Sequence, residues 1–374
     1  MEWVIVKYIE TIASQFCQGF PIHFIQKFGS GNINDTYKVD LDTASETAYI
    51  LQRINVNVFK KPELIIENMK TICGHIQKEL RLNPQKHNGW KIPDIIPTTE
   101  NKDYYIHSDG TFWRAITYIK NSRTYENLTK KNHASQIGYA LGKFHALLNT
   151  LDNKLLHDTL PGFHILPDYY RAYQESKETT LRDLTESLTQ YCINVIENRE
   201  KYILVLENAK NKNILFERPV HGDPKIANIL FDQQTELAIG LIDLDTVKPG
   251  LIHYDIGDCI RSSCNLLGED AEDFDAVQFD TVVCDNILKS YLDQTQDFLT
   301  PEDQSFLYEA IHLITFEMGV RFFEDFLAGD QYYKVAHDNH NLFRAVVQFK
   351  LLESIEGQET VIRKIVADNI NVKG

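Results

Sequence analysis

The chain has 374 residues, 43% of them hydrophobic and 11% aromatic, and its 38 Lys+Arg against 53 Asp+Glu give a formal net charge of −15. That length and apolar content can fill substantial cores, suggest about two domains, and exclude wholesale disorder. The acidic excess disfavours nucleic acid and anionic membrane surfaces as partners, yet a local pocket can still oppose the global field for a small phosphate-bearing molecule.

No run approaches the ~18 apolar residues of a membrane span. The apolar stretch Trp3–Val6 is interrupted by Lys7 and Glu10, unlike a signal peptide. Six scattered cysteines without a C-x-x-C motif predict reduced thiols rather than a disulfide scaffold or structural zinc. The expectation is a soluble, cytoplasmic protein.

In chain order, the first hundred residues or so read mainly as strands. Pro21–Phe28, Thr36–Leu41 and Thr47–Ile54 are short, β-branched and aromatic, and punctuated by Gly, Asn or Asp. A helix is predicted from Pro62, with Leu64, Ile65, Met69, Ile72 and Ile76 at helical spacing. Extended pieces follow at Ile92–Ile96, Tyr104–His107 and Thr111–Ile119. From Asn132 the pattern turns helical, first through Ile137, Leu141, Phe144, Leu147 and Leu148. Further helical segments are expected over Pro167–Lys210, Asp273–Asp293, Pro301–Leu327 and Gln331–Ile355. Between them, Asn228–Phe231 and Leu237–Ile242 flank a polar turn and read as a hairpin. The predicted fold class is α+β and two-lobed. An antiparallel sheet with a helix would occupy 1–118 and a mostly helical lobe 119–374, with a hinge at 117–122. Two lobes would leave a cleft, where ligands usually sit.

The chemistry concentrates in His221-Gly222-Asp223-Pro224-Lys225-Ile226-Ala227-Asn228 and in Leu241-Ile242-Asp243-Leu244-Asp245. An H-x-D-x-x-x-x-N loop supplies a carboxylate to take a hydroxyl proton and, five residues on, a carboxamide to bind magnesium. Asp243 ends an apolar strand 20 residues after Asp223 and supplies a second hard oxygen, as Mg2+ requires when phosphates complete its shell. Asp223, Asn228 and Asp243 are therefore the expected catalytic and metal residues for moving a phosphoryl group from ATP to an alcohol.

The loop, the hairpin and the run Ile242–Arg261 resemble the aminoglycoside phosphotransferase and choline kinase superfamily, and within it most closely the N-acetylhexosamine 1-kinases. The same resemblance extends over GSGNINDTY (Gly29–Tyr37), LQRIN (Leu51–Asn55), VFKKPELIIENM (Val58–Met69), RFFEDFLAGDQYY (Arg321–Tyr333) and HNLFRAVVQFKLLESIE (His340–Glu356), which span nearly the whole chain. It implies a kinase-like fold, ATP and Mg2+ dependence, and the anomeric hydroxyl of N-acetylglucosamine or N-acetylgalactosamine as acceptor. It also implies that Asn32, Arg321 and Tyr332 contact that sugar, alongside Asp223.

Gly29-Ser30-Gly31 lies between two predicted strands, where a phosphate-covering turn belongs, although Asn34 stands where a third glycine would complete G-x-G-x-x-G. A kinase lobe also needs a strand cation for the phosphates and a helix carboxylate to orient it. Arg53 and Glu67 are the expected pair. Gln52 is the alternative occupant of the inward pleat, which would leave Arg53 a solvent-facing strand end. Backbone groups around Thr117 to Ile119 would meet adenine. Arg321 could instead pair with Glu317 or Glu324 at helical spacing. Asp255, in Tyr254-Asp255-Ile256-Gly257-Asp258, reads as a helix cap and scaffold group. Rival functions are an aminoglycoside, choline or homoserine kinase, and a non-catalytic pseudokinase.

Overall fold

The computed structural model describes residues 2–29, 33–43, 47–87 and 89–371. The chain folds as two compact units that do not divide at a single point: 154–161 and 242–248 pack with 1–122, and the rest forms the second unit.

The first unit comprises α1 (Glu2–Ala13), β1 (Ile22–Lys27), β2 (Asp35–Leu41), β3 (Ala48–Ile54), α2 (Pro62–Leu82), β4 (Ile95–Ile96), β5 (Tyr105–Ile106) and β6 (Phe112–Thr117). Its antiparallel sheet runs β1-β2-β3-β6-β4, with β5 also pairing β6. Strand alternation divides the side chains between two faces. Val39, Tyr49, Leu51, Trp113 and Ala115 point to one, where Ile9, Ile12, Ala13 and Phe16 cover them. Ile54 and Phe112 point to the other and pack with Phe59, Ile65 and Ile66 at the start of α2. Pro62 opens α2 at its first turn, a position whose missing N–H costs nothing, and Ile65, Met69, Ile72 and Ile76 form its buried stripe. The α1 helix lies outside the sequence expectation, although Ile9, Ile12, Ala13 and Phe16 have helical spacing.

The second unit begins within β7 (Ser122–Arg123) and continues through α3 (His133–Leu148), α4 (Leu166–Thr179), α5 (Ser187–Glu197), α6 (Val205–Asn211), β8 (Arg218–Val220), β9 (Ile229–Asp232) and β10 (Ala238–Leu241). After β11 (Lys248–Gly250) come α7 (Ile252–Cys264), α8 (Thr281–Thr295), α9 (Pro301–Ser305), α10 (Leu307–Leu327), α11 (His340–Gly357) and α12 (Glu359–Asn371). The expected hairpin is β9–β10, antiparallel. The α10 helix is buried almost all round and anchors the core with α11, α7 and α4. Gly138 on α3 faces α8 so closely that a Cβ there would sit 2.1 Å from Ile287 O, so only glycine permits the approach.

Several predicted helices are shorter or divided. The stretch 167–210 breaks where Thr180 turns extended and Asp183 accepts the Thr185 amide. Asp280 caps α8, so that helix starts later than Asp273. Residues 331–333 are drawn away from helical bonding because the Asp325 carboxylate accepts their amides. The strand expected over 92–96 is reduced to Ile95–Ile96 by Pro93, which has no N–H to donate. Among the described residues no helix is long and apolar enough to cross a membrane.

Candidate active site

In the second unit, the segment between β8 and β9 carries His221, Asp223 and Asn228. Gly222 takes φ +85°, a left-handed conformation that glycine adopts without steric cost. The loop is held from two sides. The Asp255 carboxylate accepts the amides of His221 (2.6 Å) and Gly222 (2.8 Å) and a bond from His145 Nε2 (2.9 Å). His164 Nε2 donates to the Gly222 carbonyl (2.9 Å), while its Nδ1 meets Glu317 Oε1 (2.9 Å). Asp255 thus has the scaffold role expected of it but is no cap: it lies inside the first turn of α7, whose cap position is Leu251.

Asn228 Nδ2 donates to Asp223 O (2.8 Å) and Oδ2 (3.1 Å), which leaves its Oδ1 as the oxygen it can offer a cation. Lys225 Nζ lies 2.8 Å from Asp223 Oδ2. Burial pushes the Asp223 pKa up, but Lys225, with help from His221 and Asn228, outweighs it and holds the group below the ordinary carboxylate range. Asp223 is therefore an anion at neutral pH, able to accept a proton.

In the first unit, Asp243 is exposed and adopts a left-handed backbone, φ 65° and ψ 58°. Gly29 has φ +74°, as a tight turn after β1 requires, while Ser30, Gly31 and Asn32 lie outside the described residues. Arg53 is half-exposed and forms an ion pair with its cross-strand neighbour Asp35. It belongs to the α1-covered face of the sheet. Glu67 pairs instead with His157 (2.9 Å), both half-exposed. Arg53 and Glu67 are not brought together. Gln52 is on the opposite face, where its Oε1 accepts two bonds from Arg114, at 3.0 and 2.8 Å. At the end of β6, the Thr117 amide is already given to Asp94 O (2.9 Å), and Ile119 O accepts the Ser122 hydroxyl.

Arg321, on α10 of the second unit, is buried among aromatic rings, its guanidinium 5.0 Å from the centroid of Phe163, 4.9 Å from Tyr169 and 5.8 Å from Tyr333. Glu317 Oε1 is 3.9 Å away. Burial would lower the Arg321 pKa, but the surrounding tyrosines and Glu317 raise it well above the usual value, so the group is a fixed cation. Tyr332 is half-exposed and meets Tyr333 edge-on. Glu317 Oε2 and Tyr333 Oη are buried with no hydrogen-bond partner among the described residues.

His164, Tyr169 and Tyr333 were missed by sequence reasoning. A lone histidine in Gly162-Phe163-His164-Ile165 has no spacing signal, and Tyr333 differs from Tyr332 only in which face of the segment it occupies.

For magnesium, Asn228 Oδ1 and the Asp243 carboxylate are the right kind of donor. Among the described residues no group of three or more His, Cys, Asp or Glu side chains could hold a metal by itself.

The profile of the APH phosphotransferase enzyme family matches residues 25–281. An aminoglycoside phosphotransferase from Alicyclobacillus acidocaldarius superposes with a TM-score of 0.64 at 15% identity, covering 96% of each chain. A microcompartment-associated aminopropanol kinase gives 0.61 at 13%, covering 94% of this chain and 98% of its own. Amicoumacin kinase hAmiN, in complex with AMP-PNP, Ca2+ and Ami, gives 0.61 at 11%, covering 91% and 92%. These superpositions show a shared kinase-like fold.

Proposed function

The chain belongs to the phosphotransferase enzyme family, and from that membership we propose an ATP- and Mg2+-dependent kinase that converts N-acetylglucosamine or N-acetylgalactosamine to its 1-phosphate. The observation that carries the acceptor is the Arg321 cluster. A fixed cation beside Glu317 Oε2 and Tyr333 Oη, two buried oxygens without partners, suits a neutral ligand that offers both hydroxyl donors and a carbonyl acceptor. The resemblance of Arg321–Tyr333 to the N-acetylhexosamine 1-kinases supports the same choice.

In this reading Asp223 orients the acceptor hydroxyl. As the hydroxyl oxygen bonds to the γ-phosphorus and the bond to the ADP oxygen breaks, the hydroxyl proton passes to the Asp223 carboxylate. The lowered pKa of Asp223 keeps it in the accepting form until transfer is under way. Asp255 and His164 hold the loop so that the carboxylate is already in place. Magnesium, when bound, offsets charge on the phosphates, with Asn228 and Asp243 as its protein ligands. Gly29, Ser30 and Gly31 cover the phosphates, backbone groups of Thr117 to Ile119 other than the Thr117 amide and the Ile119 carbonyl meet adenine, and Asn32 and Tyr332 border the sugar.

The test is ADP release against a panel of sugars and amines, with the phosphorus position of the product read by NMR. Turnover confined to N-acetylhexosamines, with phosphate on carbon 1, is the expected result. Phosphate on carbon 6, selectivity for an amine, or no turnover with any acceptor would overturn the assignment.

A further inference from the structure

A kinase-type nucleotide unit generally relies on an ion pair between a strand lysine and a helix carboxylate. Here the candidates are otherwise engaged, Arg53 with Asp35 and Glu67 with His157. The same unit contains a different buried pair. Arg114 Nη2 lies 2.5 Å from Asp245 Oδ1, with side chains 2% and 3% exposed. Arg114 also donates twice to Gln52 Oε1, and Gln52 Nε2 donates in turn to Thr36 Oγ1 (3.2 Å). Asp245 Oδ2 accepts from Asn34 Nδ2 (2.7 Å), whose Oδ1 accepts the Asn55 amide (3.0 Å).

These bonds converge on the turn that begins at Asp243. Its left-handed backbone, φ 65°, is one that Asp enters more readily than most residues and that the bonds around the turn hold in place. Arg114 and Asn34 grip the Asp245 side chain, the Thr159 hydroxyl donates to Asp245 O (2.8 Å), and Asn68 Nδ2 donates to Val247 O (2.9 Å).

We propose that Arg114 is a positioning residue for Asp243: by clamping Asp245 it holds the turn in which Asp243 presents its carboxylate. Gln52, at the inward pleat of β3, serves as the anchor for Arg114. The arginine is too buried and too fully engaged to contact a phosphate itself. Its action is on the residue that meets the metal, so the inference rests on Asp243 being a magnesium ligand.

The experiment measures the affinity of the full-length protein for a fluorescent ATP analogue with and without MgCl2, for wild type, Arg114→Gln and Asp245→Asn. Changes to groups that orient a metal ligand weaken metal affinity by about 10- to 100-fold. The magnesium-dependent gain in nucleotide affinity is expected to fall by about tenfold or more in each variant, with metal-free affinity unchanged. Removing one partner leaves a buried charge, so the Arg114→Met/Asp245→Leu double variant, which replaces the pair by apolar groups, provides a folded comparison and must show the same loss. An undiminished magnesium effect in any folded variant overturns the positioning role. A wild-type protein whose nucleotide affinity ignores magnesium overturns the metal reading itself, before any variant is compared.

Discussion

Asp255→Ala separates the support of the His221–Asn228 loop from the chemistry proposed for it. The carboxylate is fully buried and accepts the His221 and Gly222 amides and a bond from His145. Truncation leaves two buried backbone N–H groups without acceptors, at about 1–3 kcal/mol each, and so a loss of about 2–6 kcal/mol. Against a typical stability of about 5–15 kcal/mol, that is a large fraction. Asp255→Asn keeps one acceptor oxygen but turns an NH2 toward the other amide, so about half the loss is expected. The assay is urea unfolding followed by intrinsic fluorescence, comparing midpoints, because a chain of two units need not unfold in a single step. The folded fraction of either variant should also turn over slowly, since a displacement of about 1 Å at the reacting group can cost about 100-fold. Midpoint and turnover both equal to wild type in Asp255→Ala would refute the claim that this carboxylate holds the loop.

Asp223→Asn should lower kcat by about 10²- to 10⁴-fold while barely moving the unfolding midpoint, because its partner Lys225 is half-exposed and such pairs contribute little. The measurement is steady-state ADP release beside a thermal melt, and a near-normal kcat removes Asp223 from the proposed role. His164 offers a pH test. Burial pushes its pKa down, but Glu317, with Asp258, outweighs that against the opposing Arg321, and the folded value is raised. A raised folded pKa contributes stability in full below the unfolded value of about 6.5 and loses it as pH rises through the folded value. The melting-temperature advantage of wild type over His164→Gln should therefore shrink on going from pH 6 towards alkaline pH. An advantage that stays constant or grows would contradict the His164–Glu317 pair.

Asp223 and Asn228 were legible in the sequence because one short loop carries both, and a five-residue spacing survives any packing around it. The strand elements were legible for a similar reason, since alternation at Tyr49-Ile50-Leu51-Gln52-Arg53 and Phe112–Thr117 is a local property. Alternation also established that Gln52 and Arg53 face opposite ways. It could not say which way, because that depends on α1 covering the face that Arg53 shares with Tyr49 and Leu51.

The sequence by itself thus determined the His221–Asn228 motif, the α+β pattern and the phosphotransferase family. Only the tertiary structure decided how the parts are supported: Arg114 against Asp245 and Gln52, Asp255 under the His221–Gly222 amides, and His164 between Gly222 and Glu317. The physical reason is that a buried charge or amide must be satisfied by whatever group the fold brings within about 3 Å. These partners lie from tens of residues to well over a hundred residues apart along the chain, where no local period links them.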